Sequence, residues 1–232
     1  VSNRGTTVGV SGNGNILAFA SPNKPGLGQY EHLGVGAFSE GYVLCYADQN
    51  AYDVVNRASG FGSASISGFT VTRNTADNVL KLTQSFALSA TPIDGLAITM
   101  DVKNISSAPV NNIILRRQAD LDVDAGGAQG WSGFFNRFAR TSVDGVFAWN
   151  DYTDSSPLGR EGHGLLLRAQ SQTLPLNRLP VPKVTADILE TSCNPDSLET
   201  PIYGDFGASL QYNIGTMNPG QVYRFVLNYL RF

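Results

Sequence analysis

The chain has 232 residues, 42% of them apolar and 10% aromatic, which is enough to bury a large core within one domain. A formal charge of -3 with no basic run gives no electrostatic footprint for nucleic acid, and no basic amphipathic stretch suited to a membrane surface. No apolar run approaches the ~20 residues of a membrane helix, so no membrane insertion is expected. The missing initial Met leads us to expect a leader already removed.

In chain order, the strand candidates are GNILAFAS, EGYVLCYA, SASISGFTVTR, NVLKLTQSFALSA, GLAITMDVKN, VNNIILRRQAD, DGVFAWN, HGLLLRAQ, GASLQYNI and QVYRFVLNYLRF. Their dominant period is two. In GLAITMDVKN, Leu96, Ile98, Met100 and Val102 share one face, while Thr99, Asp101 and Lys103 share the other. In the last segment Tyr223, Phe225, Leu227 and Tyr229 oppose Arg224 and Asn228. Turn-forming clusters such as SPNKPGLG, ATPIDG, DYTDSSPLGREG and TMNPG stand between the strands. Helical spacing shows in WSGFFNRFAR and more weakly in VTADILET.

These elements predict one all-β domain over residues 1–232: a large antiparallel β-sandwich, supersandwich-like in strand number, with long loops and at most one or two short helices. An outer-membrane barrel is the competing architecture. The face carrying Leu230, Asn228, Val226 and Arg224 is too polar to meet lipid.

Cys45 and Cys193 are too far apart for a CxxC redox pair or a zinc knuckle. Cys45 lies in the apolar run YVLCY, so it reads either as a buried free thiol or as half of a disulfide to Cys193. The mature-looking start and the Gly/Ser/Asn-rich composition favour the bridge, and with it a secreted or periplasmic location. Asn104-Ile105-Ser106 is an N-glycosylation sequon.

The segment RRQADLDVDAGGAQGW concentrates the polar chemistry. If its strand continues to Val123, then Arg116, Gln118, Asp120, Asp122 and Asp124 share one face, and the acids repel unless a cation, an arginine or a proton intervenes. Calcium suits such oxygen-rich groups, so Asp120, Asp122 and Asp124 are the candidate metal ligands. The match to an EF-hand loop is partial, with Ala125 at the glycine position and Trp131 at that of the bidentate Glu. Two other readings stay open: Asp120 paired with Arg116 or Arg117, and a catalytic carboxylate pair. Asp151, Asp154 and Asp205 are the acids to look for nearby.

Trp131, in a glycine-rich loop, and His163, between glycines, are candidate ligand-contacting residues. For glycoside chemistry the pool of acids is Glu40, Glu161, Asp120, Asp122 and Asp205, with Trp131, Trp149 and Tyr152 as stacking surfaces. No G-x-S-x-G motif is present and the glycine clusters lack a following Lys-Ser/Thr, so no organic cofactor is expected.

The order GNILAFASP, SEGYVLCY, ITMDVKNISSAPVNNIILRRQADLDVD and YGDFGASLQYNIGTMNPGQVYRFVLNY resembles that of a diffuse set of exported bacterial β-sandwich proteins without an assigned activity. A weaker likeness is to the supersandwich of galactose-mutarotase-like domains. That likeness implies a pair of histidines and a Glu, but His32 and His163 lack the family motif, so no catalytic residue is carried over. The resulting expectation is a secreted binding or interaction protein stiffened by calcium, its partner a glycan, a surface polymer or another protein. The alternatives are a carbohydrate-active enzyme of supersandwich type and a structural subunit of a surface assembly.

Overall fold

The computed structural model describes residues 2–3, 6–20, 33, 39–55, 57–89, 95–123, 136–141, 144–149, 164–170 and 180–231. Among these the chain is all β, with no helix. One sheet runs in the order β16 (Ile202–Gly204), β12 (Asn136–Arg140), β13 (Gly145–Trp149), β14 (Gly164–Ala169), β18 (Val222–Arg231), β10 (Gly95–Asn104), β9 (Leu80–Ser89), β8 (Thr70–Asn74) and β7 (Ser65–Ser67). The second runs β15 (Val181–Thr185), β17 (Gly207–Met217), β11 (Val110–Asp120), β4 (Glu40–Tyr46), β5 (Gln49–Val54) and β6 (Ala58–Ser59). A small third sheet joins β1 (Ser2–Asn3), β2 (Thr6–Val10) and β3 (Ile16–Ala20).

The two large antiparallel sheets pack as a sandwich because their alternating faces are apolar toward each other. In β10 and β18, Leu96 lies opposite Tyr229, Ile98 opposite Leu227 and Met100 opposite Phe225, and all six are buried. On the solvent face of the same pair, Arg224 forks onto Asp101 with both contacts at 2.7 Å. From the other sheet, Leu115 and Ala119 of β11, Leu44 of β4 and Tyr212 of β17 enter the same core. Tyr212 meets Phe225 with ring centroids 4.4 Å apart, which ties the layers together.

Arg117 breaks the apolar alternation of β11. It points into the core at 0% exposure and is answered there by Glu40, also at 0%. Arg117 Nε donates to Glu40 Oε1 at 2.6 Å and Nη2 to Oε2 at 2.8 Å. Tyr229 Oη and the Ile16 N–H add bonds of 2.7 and 2.6 Å to the same carboxylate. The remaining guanidinium donors reach Gln84 Oε1 and the Gly14 carbonyl. The β2–β3 turn thus enters the end of the sandwich through polar contacts, and Asn15 Nδ2 donates to the carbonyls of both Glu40 and Asp53. Only glycine permits that approach at position 41, where a Cβ would sit 1.9 Å from the Asp53 carbonyl oxygen.

Among the described residues, the two segments with helical spacing are strand or irregular chain. Within WSGFFNRFAR, residues 136–140 form β12, whose backbone bonds go to β13 and β16; residues 131–135 lie outside the described residues. Phe138 is buried while Arg137 lies over the Tyr203 ring, so ladder pairing overrides the aromatic period. VTADILET begins as the end of β15 and continues into irregular chain. The SASISGFTVTR strand is a hairpin, β7 and β8, that turns at Gly68 with φ of 57°. The sequon Asn104 is 0% exposed and donates to the carbonyls of Ala108 and Met217, so it serves a turn and offers no glycan site.

Candidate functional site

The polar rim of the six-stranded sheet is built by the end of β11. Asp120 is its last residue, opposite Gly207 of β17, and its N–H donates to the Ser39 carbonyl at 2.7 Å. The alternation persists beyond the ladder: Leu121 and Val123 are buried in the core, which leaves Asp120 and Asp122 on the other face. Asn136 Nδ2 donates to the Leu121 carbonyl at 3.2 Å and holds the chain between the two acids. Asp205 follows β16 and arrives from the other sheet.

One carboxylate oxygen from each of Asp120, Asp122 and Asp205 lies within 4.8 Å of the others. Asp120 and Asp122 are each only 3% exposed, and their Oδ1 atoms have no hydrogen-bond partner. Asp205 is exposed and opens the group to solvent. Burial, reinforced by Asp205, pushes the Asp120 pKa up to about 8. Burial, then Asp120 and Asp205, push that of Asp122 up to about 9. Asp205 is also raised, because its carboxyl, though on an exposed residue, is partly withdrawn from water. Neither neighbouring arginine relieves this charge, since Arg117 is held by Glu40 and Arg116 donates to the Glu190 carbonyl at 2.5 Å.

The group is therefore a buried set of hard oxygen donors that could hold a metal ion. Two oxygens bound to one calcium at about 2.3–2.6 Å can be about 5 Å apart at most, which the observed span satisfies. The set contains neither sulfur nor imidazole, so it does not suit a structural zinc ion.

Residues 186–200 form a strap across the outward face of the six-stranded sheet. Cys193 in the strap is bonded to Cys45 in β4, with Cα atoms 5.8 Å apart, so neither cysteine is free. The bridge lies over a small apolar cluster of Val43, Cys45 and Val54. Polar contacts complete the closure: Lys183 Nζ donates to Asn194 Oδ1 and to the Pro195 carbonyl, both at 2.7 Å, and Gln118 Nε2 to the Ile188 carbonyl at 3.4 Å. Such a disulfide is the mark of an oxidising, extracytoplasmic compartment. Among the described residues no helix is long and apolar enough to cross a membrane.

Of the residues singled out in the sequence, Asp120 and Asp122 are thus brought together, and Asp205 joins them. Asp124, Trp131 and His163 lie outside the described residues, as do His32, Asp151, Tyr152, Asp154 and Glu161. Glu40 belongs to the core ion pair. Trp149 is stacked on Phe147 within β13, with centroids 5.2 Å apart. An apolar groove of about 370 Å³ lies between β2 and the β7–β8 hairpin, lined by Val8, Val10, Ile66, Phe69, Val71 and Phe86. It is at the opposite edge of the nine-stranded sheet from β16, so it does not coincide with the carboxylates. The polar row of Ser209 and Gln211 on β17 was not foreseen, although every second residue of GASLQYN is polar there.

Compared with known proteins, the chain matches no family model, and a search of the curated proteins finds no match.

Proposed function

We propose that the protein is an exported β-sandwich of binding type in which Asp120, Asp122 and Asp205 hold a calcium ion at the rim of the six-stranded sheet. The ion fixes the chain that leaves β11, and that chain, which includes Asp124 and Trp131, contacts a glycan, a surface polymer or another protein. His163 is a second candidate contact. The observation that carries this reading is the pair of buried aspartates, gathered with a third acid, whose Oδ1 atoms have no hydrogen-bond partner. An ion supplies both the missing positive charge and the missing partner. Asp205, being exposed, provides the route of entry.

Calorimetric titration of calcium into EDTA-treated protein tests the ion: one site per chain is expected, lost in Asp122→Asn. A glycan array probed with and without calcium tests the ligand. No calcium uptake at millimolar concentration overturns the metal, and calcium-independent binding separates the ligand from it. A second reading, a carbohydrate-active enzyme, draws on the same raised pKa values, because a carboxyl that keeps its proton at neutral pH can act as a general acid. Turnover of an array hit would favour it, and retention without turnover favours the binder.

A further inference from the structure

Between the disulfide and the carboxylates, the outward face of the six-stranded sheet carries a second polar group. Arg116 and Gln118 stand two residues apart on β11, and their direct partners on β17 are Gln211 and Ser209. Four such positions are the corners of one patch, about 5 Å across the strands and about 7 Å along them. All four are buried, with exposures of 1% for Arg116 and Ser209, 3% for Gln211 and 4% for Gln118. Each also carries at least one polar atom without a partner: Arg116 Nε and Nη1, Gln118 Oε1, Ser209 Oγ and Gln211 Oε1. Lys183 of β15, opposite Ser209, places a second cation beside the patch.

The hydrogen bonds fix which amide atoms are free. Lys183 Nζ can only donate, so the Asn194 atom it meets at 2.7 Å is Oδ1. Gln211 therefore faces that oxygen with Nε2, at 3.1 Å, and its own Oε1 is left open. The Ile188 carbonyl orients Gln118 in the same way. Arg116 makes its one bond to a neutral carbonyl, while the Glu190 carboxylate accepts from the Ser192 N–H at 2.6 Å. Burial lowers the pKa of Arg116 against the pull of the Glu190 carboxylate, and burial with the Arg116 charge lowers that of Lys183 against the pull of Asp196.

Water could satisfy single atoms of this set but could not bring negative charge into contact with the open Nε and Nη1 of Arg116. The patch calls for an anion whose oxygens accept from Arg116 and Ser209 and which has two hydroxyls, one to donate to Gln118 Oε1 and one to Gln211 Oε1. We infer that Arg116, Gln118, Ser209 and Gln211 form a site, beneath the 186–200 strap, for a small oxyanion that carries two hydroxyl groups, the chemistry of dihydrogen phosphate. Sulfate has similar size, but at neutral pH it has no proton to give the two amide oxygens. A hydroxy acid such as gluconate shares the donor and acceptor pattern in a larger body. The site uses none of the three acids of the calcium group, although Gln118 stands two residues before Asp120 on the same face of β11.

Equilibrium dialysis of the whole protein against labelled inorganic phosphate, in calcium-free buffer at pH 7, tests the inference. One saturable phosphate per chain is expected, with sulfate competing at least tenfold less well. Arg116→Met should abolish uptake and Ser209→Ala weaken it about tenfold, the loss of one charge-assisted hydrogen bond. Displacement by gluconate at lower concentration than by phosphate supports the same chemistry with an organic acid as the ligand. Absence of phosphate uptake by the wild type at millimolar concentration overturns the inference, as does equal competition by sulfate. Should Arg116→Met fail to fold, the wild-type stoichiometry and Ser209→Ala decide: full uptake by Ser209→Ala also overturns it.

Discussion

In the proposed calcium site, removal of the ion should turn the Asp120–Asp122 group from a stabilising element into a pH-dependent liability. Both carboxyls have folded-state pKa values raised from an ordinary 3.8, to about 8 and about 9. Between pH 4 and those values the unfolded chain has lost protons that the metal-free native state retains, so stability falls as pH rises. Each such group contributes about 1.4 kcal/mol per pH unit, so one of them costs about 4 kcal/mol between pH 4 and 7. The second proton adds to this, and the sum is a large fraction of the roughly 5–15 kcal/mol that holds a domain folded. Calcium binds the ionised form, so it should release protons on binding, restore stability at pH 8 and have little effect at pH 4.

Urea unfolding of EDTA-treated protein from pH 4 to 9, alongside Asp122→Asn, isolates the effect from the other titrating groups. The variant should lose less stability with rising pH, exceed the wild type at pH 8 by several kcal/mol, and no longer respond to calcium. Parallel pH profiles for the two proteins, or a wild type that gains stability between pH 4 and 7 relative to the variant, would refute the reasoning.

The core ion pair should behave oppositely to a surface one. Arg117→Met leaves Glu40 buried without its partner and should cost about 3–5 kcal/mol in urea unfolding, whereas Glu40→Gln with Arg117→Met should recover part of that loss; equal losses in both would contradict a buried-charge origin. The disulfide closes a sequence separation of 148 residues, so replacing both cysteines by alanine should lower stability by up to about 4–5 kcal/mol in the chain-entropy model. Alkylation without reductant, read by mass, should label no thiol. Gly41→Ala should destabilise strongly, because its Cβ would displace the Asp53 carbonyl or Asn15, and loss of the β2–β3 turn from the sandwich would show in amide exchange near Asn15.

Much of the molecule was legible in the sequence. A period of two along GLAITMDVKN and the C-terminal strand states which side chains face inward whatever the sheet order, because the pleat alternates by covalent geometry. Alternation likewise placed Asp120 and Asp122 on one face of the chain, although β11 itself ends at Asp120. The short strand Gln49–Val54 is rich in polar residues and the N-terminal strand Thr6–Val10 carries two threonines and a glycine, and only pairing to β4 and β3 makes them strands. Pairing to β13 and β16 likewise makes residues 136–140 the strand β12 in place of an apparent helix.

What tertiary structure alone decided is the meeting of distant groups. Asp205 joins Asp120 and Asp122 because β16 and β17 belong to different sheets whose connection passes the end of β11. Arg117 faces the core and Arg116 the strap, although they are adjacent and chemically identical, and their partners lie far off in sequence at Glu40 and Glu190. Local pattern sets the direction in which a side chain leaves the backbone. Burial, and hence the charge state and binding capacity of these residues, depends on which remote segments close over them, and that is a property of the assembled sheets.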